Sequence, residues 1–403
     1  MRRQIELEEA VELVCAAVRP LEGEQQAELL QSMGRVLARD MVSTRPNPPF
    51  DRSPVDGYAC RSADLAQAAP ETPARLRVVA EVDAGGWYTG TVAPGECVRI
   101  MTGGAIPAGC DCVQWQEQTN YAEDVVEIYA PVPPHGNYCF AGEDYPAGAL
   151  LLPAGTRIGA VEVGILAGLG LDRVPVRPRP RVALLTTGDE VTAPGQPLAP
   201  GRIYNQNLWM TAARLTELGA ELTAARQLPD DAAAVARAVQ EAAAGADLVL
   251  TTGGVSVGKK DILHEVTARL ETEPVFWKIR MKPGSPALFW QWAGVPVLSL
   301  SGNPFGAAAH TELLVRPMLA RLTGCPALEP VRSTAVLRSA FGKASPNRRF
   351  VRGICRDGQV TLPQGLHASG VLSSMRGCNC MLDLPAGSPS LTPGQQVEVV
   401  MLG

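Results

Sequence analysis

The sequence predicts a multidomain α/β-plus-β protein. It has a central three-layer α/β domain with a mostly parallel sheet, an inserted small β domain, a helical N-terminal region and a C-terminal β-barrel-like domain. Three observations predict it. Between Arg181 and Gly324, strand-like runs alternate with helix-like ones, as in a parallel sheet with helices on both faces. From Leu76 to Ile128, and again from Val331 to Gly403, short β-rich runs are separated by glycine and proline. Helical spacing occurs on both sides of the first β segment, which implies an insertion. Domains are therefore expected at 1–43 with 144–177, at 44–143, at 178–324 and at 325–403.

The 403 residues exceed what one domain usually needs, and 46% hydrophobic with 19% charged residues suffices for sizeable cores. A formal net charge of −5 argues against general nucleic-acid binding, which needs a basic face. The opening MRRQIELEEAVELV is amphipathic with acidic residues throughout, so no signal peptide is expected. No apolar run reaches membrane-spanning length, and a cytoplasmic protein is expected. The closest pairs of the 10 cysteines, Cys110/Cys112 and Cys378/Cys380, are Cys-X-Cys. That is not zinc or redox spacing, so inert thiols in a reducing compartment are expected.

Residues 5–18 have helical spacing through Ile5, Val11, Leu13 and Val14, and residues 25–38 through Leu29, Leu30, Met33 and Leu37. Arg45-Pro46-Asn47-Pro48-Pro49 cannot be helix and is read as an extended connection. In FDRSPVDGYA (50–59), Asp51 and Asp56 flank a serine; on residue chemistry alone this fits a turn with Asx hydrogen bonds. Residues 150–170 return to helical spacing, and Pro175–Pro180 marks a boundary. Helices are expected over Leu208–Leu218, capped by Asn207, and over Asp231–Ala244, capped by Asp230.

Three strands end in small polar turns: Thr186-Thr187-Gly188-Asp189-Glu190, Thr251-Thr252-Gly253-Gly254-Val255-Ser256, and Ser301-Gly302-Asn303-Pro304. Such turns at the carboxyl ends of a parallel sheet build a ligand crevice. Small residues there let backbone N–H groups approach an anion. Lys259, Lys260 and Asp261 follow the second turn, which reads as a site for a phosphorylated ligand with a cation nearby. Asn303 and Pro304 suit the start of a helix, in which Pro317 should make a kink. Residues 275–290 read as two strands around Lys282-Pro283-Gly284, with Lys278, Arg280 and Lys282 on one face; a solvated edge fits as well. Arg348, Arg349 and Arg352 form a basic group that also fits a solvated surface.

Taken together, FDRSPVDGYA (50–59), RIMTGGAIPAGCDCV (99–113), GEDYPAGALLLPAGT (142–156), VALLTTGDE (182–190), IYNQN (203–207), DLVLTTGGVSVGKKD (247–261), FWKIRMKPGSP (276–286) and SGNPFG (301–306) resemble the molybdopterin molybdotransferases of the MoeA and gephyrin E-domain type. The resemblance implies insertion of molybdenum from molybdate into adenylylated molybdopterin, with release of AMP and use of Mg2+. It implies a homodimer with its site between subunits, and as further partners the adenylyltransferase and molybdoenzyme acceptors. By correspondence with the family, Glu190, Asp230 and Asp261 would hold the cation. Thr102, Asn205, Gly253, Gly254, Ser256 and Asn303 would bind substrate, and Lys278, Lys282, Arg352 and Ser369 would bind molybdate. Asp56 and Asp144 join Glu190 and Asp261 as catalytic positions; Asp56, Thr102 and Asp144 would come from the partner subunit.

The chain departs from the family's pattern at five points. Ser285 stands where lysine is frequent, Ser301 replaces the usual proline, and Val55 a usual methionine. The arginine usually found before Gly142-Glu143-Asp144 is missing, and Gly370 stands where histidine is common. At an effective dielectric of about 20, a charge about 4 Å from an anion is worth roughly 4 kcal/mol before desolvation. The departures therefore motivate an alternative, a diverged paralogue that binds pterin nucleotide or a partner without metal insertion; one that handles tungstate is a further alternative, because the two oxyanions are nearly the same size and charge.

Overall fold

Side chains of a strand point alternately to its two faces, and here both faces are buried. In the strand Arg181–Thr187, Val182 and Leu184 join one apolar cluster while Ala183 and Leu185 join another. The strands Leu248–Thr252 and Val295–Leu300 divide in the same way: Leu248, Leu250, Leu298 and Leu300 face one side, Val249 and Val297 the other. The first face is covered by the helices Leu7–Ala16 and Gln206–Glu217 and by the helical run from Pro304. The second is covered by Ala232–Ala243 and Ile262–Arg269. This is the three-layer α/β domain. The computed structural model describes residues 1–255, 262–365 and 368–402.

The sheet has seven strands, ordered Arg2–Ile5, Phe276–Ile279, Leu288–Trp292, Val295–Leu300, Leu248–Thr252, Arg181–Thr187 and Glu221–Leu228. All neighbours run parallel except those of Leu288–Trp292, which is antiparallel to both of its partners. The carboxyl ends of Arg181–Thr187, Leu248–Thr252 and Val295–Leu300 therefore lie side by side. The C-terminal strands close into a small barrel: Arg348–Arg356, Gln359–Thr361, Arg332–Leu337, Gln396–Met401 and Cys380–Leu384 pair in sequence, and the last returns to the first. Phe350, Met381 and Val400 of the barrel pack into the first apolar cluster of the α/β domain.

The chain divides into two compact units, Met1–Arg39 with Ala154–Ala160 and Arg173–Gly403, and Asp40–Pro153 with Val161–Asp172. The second unit is built on a five-stranded sheet ordered Cys112–Trp115, Gly57–Cys60, Glu96–Ile100, Ala74–Val82 and Val125–Ile128. Gly57 is required there, because a Cβ on it would lie 1.8 Å from the Gln114 carbonyl oxygen. All ten cysteines are free thiols, and among the described residues no helix is long and apolar enough to cross a membrane.

Several expectations are corrected. Residues 25–38 are not a helix: Gln25–Glu28 pairs antiparallel with Arg173–Val176, and Leu30–Ser32 is a single 3-10 turn. Their helical stripe does not become a buried face, since Leu30 and Met33 are exposed while Ala27, Val36 and Leu37 are inside. Residues 150–170 begin as the strand Leu150–Leu152, with helix only over Ala160–Gly168. The helix from residue 206 is capped by Asn205, not Asn207, and the next by Asp231, not Asp230; each accepts from the N–H three residues on. The expected break at Pro317 is a π-turn over Thr311–Val315, placing Pro317 in the first turn of Arg316–Thr323, where its missing N–H is tolerated. Lys278, Arg280 and Lys282 do not share a face. Lys278 has φ +66°, which ends the alternation, and Met281–Lys282 leaves the central sheet to pair with Arg348–Arg349 of the barrel.

Candidate functional site

Two recesses adjoin one turn of the first unit. The first sits at the carboxyl ends of the parallel strands and is lined by Thr186, Thr187, Glu190, Asn205, Asn207 and Thr252, among others. Gly253 and Gly302 bring their two turns together: a Cβ on Gly302 would lie 3.5 Å from the Gly253 Cα. The hydroxyls of Thr186, Thr187 and Thr252 are buried without a hydrogen-bond partner among the described residues, and so is the Asn207 Oδ1. Buried polar atoms normally find partners, so four orphans around one recess mark a place for a polar ligand. Asn207 donates through Nδ2 to the Gly302 carbonyl at 2.7 Å, which aims the remaining amide oxygen. Asn205 is occupied structurally: its Oδ1 caps the helix at Leu208 and its Nδ2 donates to Gln227 at 3.2 Å.

The second recess, of about 830 Å³, lies between the loop carrying Lys282 to Pro286 and the barrel. Its walls include Arg280, Lys282, Lys343, Arg349 and Arg352 and, among the described residues, no aspartate or glutamate. Arg280 is neutralised by Glu6 at 3.1 Å. The Arg352 guanidinium is buried above the Phe305 ring, 4.0 Å from its centroid, and donates to the carbonyls of Ala368 and Val371 and to the Ser374 hydroxyl. It thereby fixes the segment that presents Ser369, whose carbonyl also accepts from the Phe305 N–H at 3.0 Å. Burial lowers the Arg352 pKa from its ordinary value.

Ser301 and Asn303 line this cationic recess, while Gly302 and Pro304 of the same turn line the first one. A single turn thus separates a polar pocket from a cation-lined cavity. Beside the first pocket, Asp230 accepts through Oδ2 from the Asp189 N–H at 3.1 Å, and its own N–H donates to Asp189 Oδ1 at 3.2 Å. The Asp230 Oδ1 is buried with no hydrogen-bond partner among the described residues.

The structure brings some of the sequence-derived candidates together and separates others. Glu190, Asn205 and Gly253 line the polar pocket; Lys282, Asn303, Arg352 and Ser369 line the cationic cavity. Gly254 follows Gly253 with φ +66°. Lys278 lines neither, and its ammonium stacks 4.2 Å above the Trp277 ring. Asp56, Thr102 and Asp144 belong to the second unit. There Asp56 accepts from both the N–H and the hydroxyl of Thr102 at 2.7 Å, bonds that hold its pKa below the ordinary carboxylate value. Asp144 accepts from Asn47 Nδ2 at 2.8 Å. Ser256, Lys259, Lys260 and Asp261 lie outside the described residues. Sequence reasoning missed the cavity role of Lys343 and Arg349 and the histidine beneath the loops, His310. A histidine in the apolar, alanine-rich run Pro304–His310 was the available signal for the last.

Comparison with known proteins covers nearly the whole chain. Family models match residues 5–170 (MoeA N-terminal region, domains I and II), 183–321 (probable molybdopterin binding domain) and 334–402 (MoeA C-terminal region, domain IV). The molybdopterin molybdenumtransferase of Staphylococcus aureus strain Mu50 is 35% identical over 376 residues, 93% of this chain and 90% of that protein. That of Staphylococcus epidermidis strain ATCC 12228 is 33% identical over 374 residues, 92% and 89% of the two chains. The crystal structure of the molybdopterin biosynthesis MoeA protein from Pyrococcus horikoshii OT3 superposes with a TM-score of 0.84 at 29% identity, covering 99% of this chain and 100% of that one.

Proposed function

The chain belongs to the MoeA family of molybdopterin molybdenumtransferases, whose work is molybdenum cofactor biosynthesis, and from that premise we propose that it inserts molybdenum from molybdate into adenylylated molybdopterin and releases AMP. The observation that carries this reading is the shared turn: Ser301 and Asn303 face the cationic cavity, Gly302 and Pro304 the polar pocket. Two substrates that must react together need adjoining sites of different chemistry. The polar pocket suits a phosphorylated nucleotide end, through the unpaired hydroxyls of Thr186, Thr187 and Thr252. The cavity suits a small dianion, since its cations outnumber its acids and Arg352 is buried with a hydrogen-bonding plane.

Among the described residues no three His, Cys, Asp or Glu side chains are grouped to hold a metal ion, and Asp261 lies outside them. Carboxylate oxygens are nonetheless the donors Mg2+ takes, and the buried Asp230 Oδ1 lacks a partner among the described residues. Glu190 and Asp230, with Asp261, are the residues that would hold it. When bound, the ion would neutralise phosphate oxygens and polarise phosphorus. Asp230 is kept in place by its reciprocal bonds with Asp189. Asn205 fixes the start of a helix beside the pocket, and Gly253 and Gly254 let their turn pack closely against Thr187 and Ile262, which holds that turn at the pocket. We assign Asp56, Thr102 and Asp144 to the site of a second copy in a cytoplasmic homodimer; the Asp56 carboxylate stays ionised and suits cation binding or proton transfer. The adenylyltransferase and molybdoenzyme acceptors are the partners this reading implies.

AMP release from adenylylated molybdopterin, measured in Mg2+ with and without molybdate, tests the reading. Molybdate-stimulated release together with active molybdenum cofactor is expected. Tight binding with no release under saturating molybdate would sink it and leave a pterin-nucleotide-binding paralogue.

A further inference from the structure

Paired strands place Lys282 and Arg349 next to each other, because the parallel register matches Met281 with Arg348 and Lys282 with Arg349. Neighbouring like charges on paired strands repel unless something neutralises them. Arg348 is neutralised, by Glu8 at 2.6 Å and Asp383 at 2.7 Å. Among the described residues neither Lys282 nor Arg349 has a carboxylate within salt-bridge distance, and both border the 830 Å³ cavity. Arg349 is nevertheless not loose. Its Nε donates to the Ser345 hydroxyl at 3.1 Å, Ser345 is buried, and the guanidinium lies 5.9 Å from the Phe341 ring centroid. Phe341 is itself part of the cavity wall. One edge of the guanidinium is thus fixed, and the two Nη groups remain without a partner among the described residues.

Ser285 also lines the cavity; its short hydroxyl carries no charge, and its carbonyl accepts from the Ile279 N–H at 2.9 Å. It occupies the point where lysine is frequent in the family's pattern. We propose that Lys282 and Arg349 form an oxyanion clamp, in which Arg349, reaching in from the barrel, supplies the positive charge that residue 285 does not. The clamp rests on the oxyanion reading of the cavity given above. An arginine fork anchored along one edge offers paired donors to a tetrahedral oxyanion, and Lys282 adds a point charge from the neighbouring strand. The cation that matters for anion affinity has therefore moved from the loop to the barrel, with the cavity between them.

Equilibrium binding of molybdate, with sulfate as the competing oxyanion, tests this by calorimetry on the full chain. Arg349→Gln is expected to weaken molybdate binding by about tenfold to a hundredfold, the range for losing a charged hydrogen bond. Arg349→Lys should keep most of the affinity. Adding Ser285→Lys to Arg349→Gln should recover most of the loss, while Ser285→Lys alone should improve the wild type far less. In turnover, Arg349→Gln should raise the KM for molybdate and leave kcat close to wild type. Should Arg349→Gln fail to fold, Arg349→Met replaces it, since the apolar stem over Phe341 is kept. Wild-type affinity in Arg349→Gln, or an equal gain from Ser285→Lys in both backgrounds, overturns the clamp and leaves the cavity reading standing. A wild-type protein that binds neither oxyanion overturns both.

Discussion

His310 accepts a hydrogen bond through Nδ1 from the Ser301 N–H at 3.1 Å, and its Nε2 lies 2.6 Å from the Gly284 carbonyl oxygen. An N–H only donates and a carbonyl only accepts, so the ring is held neutral with its proton on Nε2. One fully buried side chain thus ties the Lys282–Pro286 loop to the Ser301–Pro304 turn, both of which line the cationic cavity. Ser301 is also where the chain departs from the family's usual proline, which has no N–H to give. Ser301→Pro is expected to cost about 2 kcal/mol by leaving Nδ1 without a donor. In an His310→Ala background the same change should cost at least about 1 kcal/mol less, read from a double-mutant cycle of urea denaturation. Additive costs would break the link between the two residues.

The same burial makes His310 a source of acid sensitivity. Desolvation, opposed by the Gly284 bond, pushes its pKa down from 6.5 to about 4. Between those values the unfolded chain holds the proton and the native one does not. His310 therefore contributes its full stability above pH 6.5, and the contribution is lost as pH falls toward 4. At pH 5 the loss amounts to about 2 kcal/mol. Urea denaturation at pH 7.5 and pH 5 should show wild type losing that much more than His310→Gln. Equal losses in the two proteins would remove His310 from the acid response.

Gly253 has φ +92°, and a Cβ on it would meet the Thr187 carbonyl oxygen at 2.4 Å. Gly253→Ala must move either its own turn or the end of the neighbouring strand, at a cost of about 2 kcal/mol. That displacement falls on the polar pocket. We expect at least roughly a tenfold loss in kcat/KM for the adenylylated substrate, with oxyanion binding to the cationic cavity within about twofold of wild type. Parallel loss of both would mean that the two recesses do not act as separate sites.

Legibility in the sequence followed how locally each feature is encoded. The strands ending at Thr187, Thr252 and Leu300 are buried on both faces, so each reads as an apolar run, and the small polar residues after them read as turns. Asn303-Pro304 was equally readable, since Pro304 does open a helix. Helix caps were harder: several polar residues compete near each start, and Asn205 and Asp231 won because their side chains reach the N–H three residues on. Residues 25–38 misled because their helical spacing is overruled by pairing with Arg173–Val176, a partner far along the chain. The cationic cavity was readable only in part. Lys282 came from a motif and Arg352 from the family resemblance, but the pairing of Lys282 with Arg349 exists only once a two-residue strand joins the barrel.

Glu312 sits 5% exposed in the π-turn and accepts from Arg214 at 2.6 and 3.1 Å and from Arg316 at 3.2 Å. Arg214 also reaches the Leu402 carbonyl at 2.6 Å, and Arg316 reaches those of Leu328 and Met401. The trio thus joins a helix of the α/β domain to the last strand of the barrel. Glu312→Gln keeps the shape but takes the counter-charge from the buried Arg316 guanidinium and one of those facing Arg214, which keeps Glu217 at 3.0 Å, at a cost of about 3 kcal/mol. Such a loss should persist in 0.5 M salt (a concentration for which the Debye length is only about 4 Å), because buried pairs are weakly screened. The exposed helix pair Arg269–Glu265 provides the contrast: its side chains are 50% and 56% exposed, and Glu265→Gln should cost less than about 0.5 kcal/mol and nothing measurable in salt. Chemical denaturation of both variants at two salt concentrations decides the matter. A Glu312→Gln cost that vanishes in salt would mean that the trio is solvated and does not hold the barrel to the α/β domain.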